Sequence, residues 1–147
     1  MKKLVVICAL FCSACGTVTP SSGTYLATTT EGSNTCGADF AIETVTDEEL
    51  KIEVDLDKNL VIIEDNFECD LDGNVAACSE VFDEESGEGY TVLTLMNWEL
   101  TWSSETKATG SYGMAIECEG EPCSELAAEA GIELPCESSI NIEMELK

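Results

Sequence analysis

Two segments of this chain alternate apolar and polar residues with a strict period of two, which limits them to one kind of secondary structure. Leu50, Ile52, Val54 and Leu56 alternate with Lys51, Glu53, Asp55 and Asp57; Ile140, Ile142, Met144 and Leu146 alternate with Asn141, Glu143, Glu145 and Lys147. A helix would smear both sets around its circumference, whereas a strand sorts them onto opposite faces. Both segments are predicted as strands with one face buried and one face wet.

Turn chemistry separates further runs of the same kind. Asp57-Lys58-Asn59 precedes Leu60-Val61-Ile62-Ile63, and Asp72-Gly73-Asn74 lies between the run 67–71 and the run 75–82. Asp-Gly is a strong hairpin signal. Glu85-Ser86-Gly87-Glu88-Gly89 and Ser103-Ser104-Glu105-Thr106 bracket the longest stripe: Tyr90, Val92, Thr94, Met96, Trp98, Leu100 and Trp102. Its thirteen residues would reach roughly 43 Å at about 3.3 Å each, against a domain diameter of roughly 36 Å. The strand is therefore expected to bend or bulge, as strands do in a curled sheet. Its expected partner is Ala108, Gly110, Tyr112, Met114, Ile116 and Cys118. Only 124–130, after Pro122 and before Gly131, reads as helix: it has good formers, acidic residues early and a glycine stop.

The fold class is thus all-β: about eight or nine antiparallel strands with one short helix before the last strand. Strands apolar on one face only are satisfied by an up-and-down barrel or by a two-sheet sandwich. Gly23-Thr24-Tyr25 opening the first strand, with the late helix and closing strand, resembles the lipocalin-like barrels. That family opens on Gly-x-Trp, where this chain has Tyr25, and uses an arginine that a chain without arginine cannot supply. The resemblance implies a barrel with a cavity for a small hydrophobic ligand.

The chain begins Met1-Lys2-Lys3 and then runs from Leu4 to Phe11 without a charge. Two lysines, a short apolar run and small residues are the layout of a secretory signal peptide, and the run falls short of the roughly 20 residues a spanning helix needs. Cys12-Ser13-Ala14-Cys15-Gly16 then resembles the bacterial lipobox, with Cys12 at the position where leucine is usual. The resemblance implies cleavage after Ala14, lipidation of Cys15 (including palmitate) and a membrane-anchored envelope protein. With Gly16 and no Asp retention signal after the anchor, the enterobacterial sorting pattern implies the outer membrane. The mature part also looks like the small Cys-rich β-domain lipoproteins of Gram-negative bacteria. The expected organisation is a signal peptide over 1–14, a lipidated cysteine and flexible tether over 15–23, and a single disulfide-stapled β domain over 24–147.

Cysteine arithmetic agrees. The chain has 9 Cys, an odd number that would leave a reactive thiol in an oxidising compartment. Removing Cys8 and Cys12 with the leader and acylating Cys15 leaves Cys36, Cys69, Cys78, Cys118, Cys123 and Cys136, enough for three bridges. Cys69 and Cys78 flank a turn, and Cys118 and Cys123 pair within their loop or with Cys36 and Cys136. Six cysteines allow 15 connectivities, so the pairing stays open here.

Charge excludes several partners. Net charge is −24, falling to −26 once Lys2 and Lys3 leave, and there is no His or Arg. Nucleic acid needs a cationic patch, and anionic headgroups would repel this surface, so membrane attachment falls to the lipid. A Ser or Cys nucleophile lacks its usual histidine base, which argues against an enzyme. Asp70-Leu71-Asp72-Gly73-Asn74 fails as a calcium loop, because glycine falls at position four and Val81 at position twelve. No zinc motif is present, and no cofactor or metal is expected. Tyr90, Met96, Trp98, Trp102, Tyr112 and Met114 are the candidate lining of an apolar cavity, with a filled core as the plainer alternative. The expected function is a non-enzymatic, lipid-anchored structural or interaction module with a possible protein partner; alternatively, a carrier of a small apolar ligand.

Overall fold

A computed structural model describes residues 18–147 of the chain. Its strands are β1 Gly23–Asn34, β2 Glu48–Asp55, β3 Leu60–Ile63, β4 Phe67–Asp72, β5 Val75–Gly87, β6 Tyr90–Ser104, β7 Lys107–Gly120 and β8 Cys136–Leu146; the helix α1 is Cys123–Ala130. Each strand pairs antiparallel with the next, and β8 pairs back onto β1, so the sheet is a closed eight-stranded barrel. Of the two architectures open to the sequence, the barrel is the one observed. The signal peptide, the lipobox and Cys15 lie outside the described residues.

Alternation places the core as expected in most of the wall. Ile52, Trp98, Leu100, Trp102, Ile140, Ile142 and Met144 are buried, while Glu53, Glu99, Glu143 and Glu145 face solvent. Leu56 departs from the pattern: β2 ends at Asp55, and the leucine falls in the turn, 54% exposed. Residues 18–23 also differ from a loose tether. Val18 packs against the core, Pro20 is buried, the Ser21 N–H donates to the Glu105 carbonyl (3.0 Å) and the Ser22 hydroxyl accepts from the Val54 N–H (2.8 Å). This stretch closes the lower end of the barrel, where the β2–β3, β4–β5 and β6–β7 turns also lie. Tyr25 seals it from inside: its hydroxyl donates to the Ser21 carbonyl (2.7 Å) and accepts from the Trp102 indole N–H (3.4 Å).

The wall is uneven. β3 and β4 have 4 and 6 residues, whereas β5, β6 and β7 have 13, 15 and 14. The long stripe therefore does rise above the shorter strands. The irregularity expected in β6 falls mainly on its neighbour: the β5–β6 register shifts between Val81 and Asp83, and β6 itself shifts against β7 only between Trp102 and Ser104. β4 pairs with β5 only through Val75–Ala77, so beyond that point one edge of β5 has no strand beside it.

Three disulfides resolve the open connectivity. Cys69–Cys78 joins β4 to β5, Cys118–Cys123 joins β7 to the start of α1, and Cys36–Cys136 joins the chain after β1 to the start of β8 across 100 residues of sequence. The last pair anchors a second apolar cluster at the upper end, with Ile116 and the neighbouring Val92, Met114, Phe40, Ile132 and Leu134. α1 stops at Gly131, whose backbone is left-handed (φ 69°) and whose N–H caps the Ala127 and Ala128 carbonyls.

Candidate functional site

The lower half of the barrel is filled; Trp102, Leu100, Tyr25, Val61 and Ile63 are fully buried there. Between this core and the upper cluster lies a cavity of about 300 Å³. Its walls come from the inward faces of β1 (Ala27, Thr29), β2 (Leu50), β6 (Trp98), β7 (Tyr112) and β8 (Ile140, Ile142). The 35–47 connection crosses over it and contributes Ile42, Glu43 and Val45. That connection is held in place by Thr29. The Thr29 N–H donates to the Val45 carbonyl (2.9 Å), and the Thr29 hydroxyl accepts from the Val45 N–H (2.7 Å).

Cross-strand register brings the two aromatics together. Trp98 of β6 lies directly opposite Tyr112 of β7, which lies opposite Ile140 of β8. The Trp98 and Tyr112 rings are 4.5 Å apart between centroids, and Phe67 of β4 extends the row at 6.1 Å from Trp98. Both separations fall in the range favourable for tilted aromatic pairs. The Tyr112 hydroxyl donates to the Met96 sulfur (3.4 Å). Burial raises the Tyr112 phenol above its ordinary value, so it stays protonated and uncharged.

Trp98 differs from its neighbours. It is only 8% exposed, yet its indole N–H has no acceptor, the one such buried side-chain donor among the described residues. An orphaned buried donor costs about 1–3 kcal/mol. Trp102, by contrast, donates to Tyr25 and is satisfied.

Four carboxylates complete the cavity lining: Glu43, Glu48, Glu49 and Glu64, all exposed. Glu49 pairs with Lys147, and Glu64 accepts the backbone N–H of Lys51. No lysine lines the cavity.

Of the six residues expected to line a cavity, Trp98 and Tyr112 line this one, and Met114 lines, with Trp98, Asn97 and Ser138, a second pocket of about 570 Å³. Trp102 is packed in the lower core, Met114 belongs to the upper cluster, Met96 stands behind Tyr112, and Tyr90 lies at the β5–β6 turn. The carboxylate rim and the covering loop were not anticipated. Glu43 lies in the 35–47 connection, Glu48 and Glu49 open β2, and Glu64 follows β3, so only the folded barrel brings them together. Among the described residues, no three Cys, Asp or Glu side chains converge on a metal-sized site.

A closed antiparallel barrel, packed at one end and hollow beneath a loop at the other, defines this molecule's class. No protein family, curated protein or solved structure matches the chain.

Proposed function

We propose that this is a non-enzymatic, lipid-anchored protein of the cell envelope, sorted to the outer membrane, that binds a small ligand through its largely apolar inner walls at the barrel mouth. The observation that carries the binding reading is the cavity walled by Trp98 and Tyr112. Pockets that take small molecules are typically apolar with a few placed polar groups, and about 300 Å³ is at the lower end of their range. The lipocalin-like resemblance points the same way.

The anchor reading rests on Lys2, Lys3, the apolar run and the lipobox around Cys15. Three bridges using all six remaining cysteines fit an oxidising compartment. The barrel wall itself is not suited to lipid. Glu53, Glu68, Glu99, Glu143 and Glu145 project outward, where a spanning barrel carries an apolar band. Attachment is therefore assigned to the acyl chains. Replacing Cys15 by Ser is expected to abolish acyl labelling and to move the protein from the membrane to the soluble fraction. Persistent labelling of the variant would remove the anchor from the account.

A second reading, an interaction module, has its own support on β5. Val81 and Phe82 are 56% and 69% exposed on the open edge of that strand, among Glu80, Asp83, Glu84 and Glu85. Acids and a bulge on an edge discourage pairing with a second copy of this chain. They favour an extended partner segment that alternates basic and apolar residues, adding as a strand.

A further inference from the structure

We infer that the closed lower end of the barrel is the surface that the anchored protein holds against lipid headgroups. The mouth then opens away from the bilayer, toward ligands dissolved in water. This rests on the acyl anchor at Cys15 proposed above, and adds which face that anchor brings to the membrane.

Three observations point to that orientation. The first is reach. The chain is held to the barrel from Val18 onward: Val18 packs against the core, Pro20 is buried, and Ser21 and Ser22 bond to the Glu105 carbonyl and the Val54 N–H. Only Gly16 and Thr17 separate Val18 from Cys15. Three extended Cα steps span at most about 11 Å. β6, with 15 residues tilted by about 35–45°, makes the barrel roughly 35–40 Å tall. So short a tether keeps the lower end beside the acyl chains and cannot turn the mouth toward them.

The second observation is charge. Lys58 in the β2–β3 turn, Lys107 opening β7 and Lys147 after β8 all lie at the lower end, three of the four described lysines. At the upper end, the β5–β6 turn and α1 carry Glu88, Glu125 and Glu129 and no lysine. The wall between them projects Glu53, Glu99 and Glu143. An anionic leaflet acts on each charge near its surface by about 1 kcal/mol. It therefore repels the upper end and the wall more than the lower end, which opposes a barrel lying on its side.

The third is Leu56. It is 54% exposed in the β2–β3 turn, two residues beyond the Val54 N–H that Ser22 accepts. A single exposed leucine is ordinary on its own. Here it stands beside the tether, at the level where headgroups would cover it.

Energy transfer to a lipid-borne acceptor tests this on acylated protein in vesicles of phosphatidylcholine and phosphatidylglycerol. The donor dye is attached at Asp57→Cys in a lower turn or at Glu88→Cys in an upper turn, both exposed positions. Its transfer range is chosen shorter than the barrel's height. Transfer from position 57 is expected to exceed that from position 88 severalfold. Because an added cysteine can disturb the native bridges, amide exchange of the unaltered chain supplies a second measurement. Vesicles should slow exchange over residues 55–59 and 103–106 and leave 86–89 unchanged. Equal transfer from the two positions, or protection of 86–89, would overturn the orientation while leaving the anchor in place. A chain that carries no acyl mass and stays off the vesicles would overturn the anchor, and this inference with it.

Discussion

At the scale of single residues, Tyr25 and Trp98 show how the same kind of side chain serves closure at one end of the barrel and opening at the other. Tyr25 is fully buried, satisfied by Ser21 and Trp102, and burial raises its phenol above the ordinary value of about 10. A raised folded-state pKa means that the folded protein holds the proton more tightly than the unfolded chain does. The stability this gives is fully present below about pH 10 and is lost as pH climbs through the folded value. Tyr112 acts in the same direction. Urea midpoints measured from roughly pH 8 to pH 11.5 should therefore fall, and the fall should be shallower in Tyr25→Phe than in the wild type. The variant also loses about 1–3 kcal/mol at neutral pH, because its bond to Ser21 goes and the buried Trp102 N–H is left without an acceptor. Parallel alkaline slopes in the two proteins would show that the phenol is not the titrating group. Some of these roles were legible in the sequence. The period-two stripe placed Trp98, Trp102 and Tyr112 on an inner face, but it could not say which indole would be packed and which left beside a hollow. That distinction depends on wall height, which is set by β3 and β4, far away in the chain.

At the scale of elements, turn chemistry and alternation predicted the hairpins at 72–74 and 103–106, the β6–β7 pairing and the helix ending at Gly131. Bridge connectivity was beyond reach because Cys36 and Cys136 meet only when β8 closes onto β1. That closure has an energetic consequence. In a chain-entropy view, a bridge across 100 residues restricts the unfolded chain more than one across 9 or 5. Cys36→Ala/Cys136→Ala should therefore lose about 2–3 kcal/mol more than Cys118→Ala/Cys123→Ala, read from urea midpoints at constant slope. Equal losses would mean that the unfolded chain already brings β1 and β8 together. The β5 edge has a separate test. Phe82→Ser should leave the midpoint unchanged to within about 0.5 kcal/mol, because the ring is exposed. A synthetic peptide alternating lysine and valine should slow amide exchange over residues 79–87 in the wild type and not in the variant. Exchange unchanged by the peptide would remove the strand-addition reading.

At the scale of the whole molecule, one pattern accounts for both the outer and the inner surface. Alternation sends acids outward and apolar groups inward all around a closed sheet, so the exterior is strongly anionic and the four described lysines are each paired with a carboxylate. Such a surface is wet and repels anionic lipid, which agrees with the acyl attachment at Cys15 and the binding at the mouth proposed above. Closure also removes most sheet edges, with the upper part of β5 as the exception. Barrel and sandwich stayed open, since one-sided strands satisfy both and only the pairing of β8 with β1 decides. The all-β class and the late helix were readable from the chain because each follows from local signals. The cavity was not, since it arises from unequal strand lengths under a loop whose residues carry no periodic signal. The central claim is that this hollow holds a small ligand, and a native mass spectrum of the protein released in mild detergent from its own membranes tests it most directly. The account predicts a chain six hydrogens lighter than its reduced form, carrying an added small mass that leaves on gentle activation. A chain with three bridges and no such mass would contradict it.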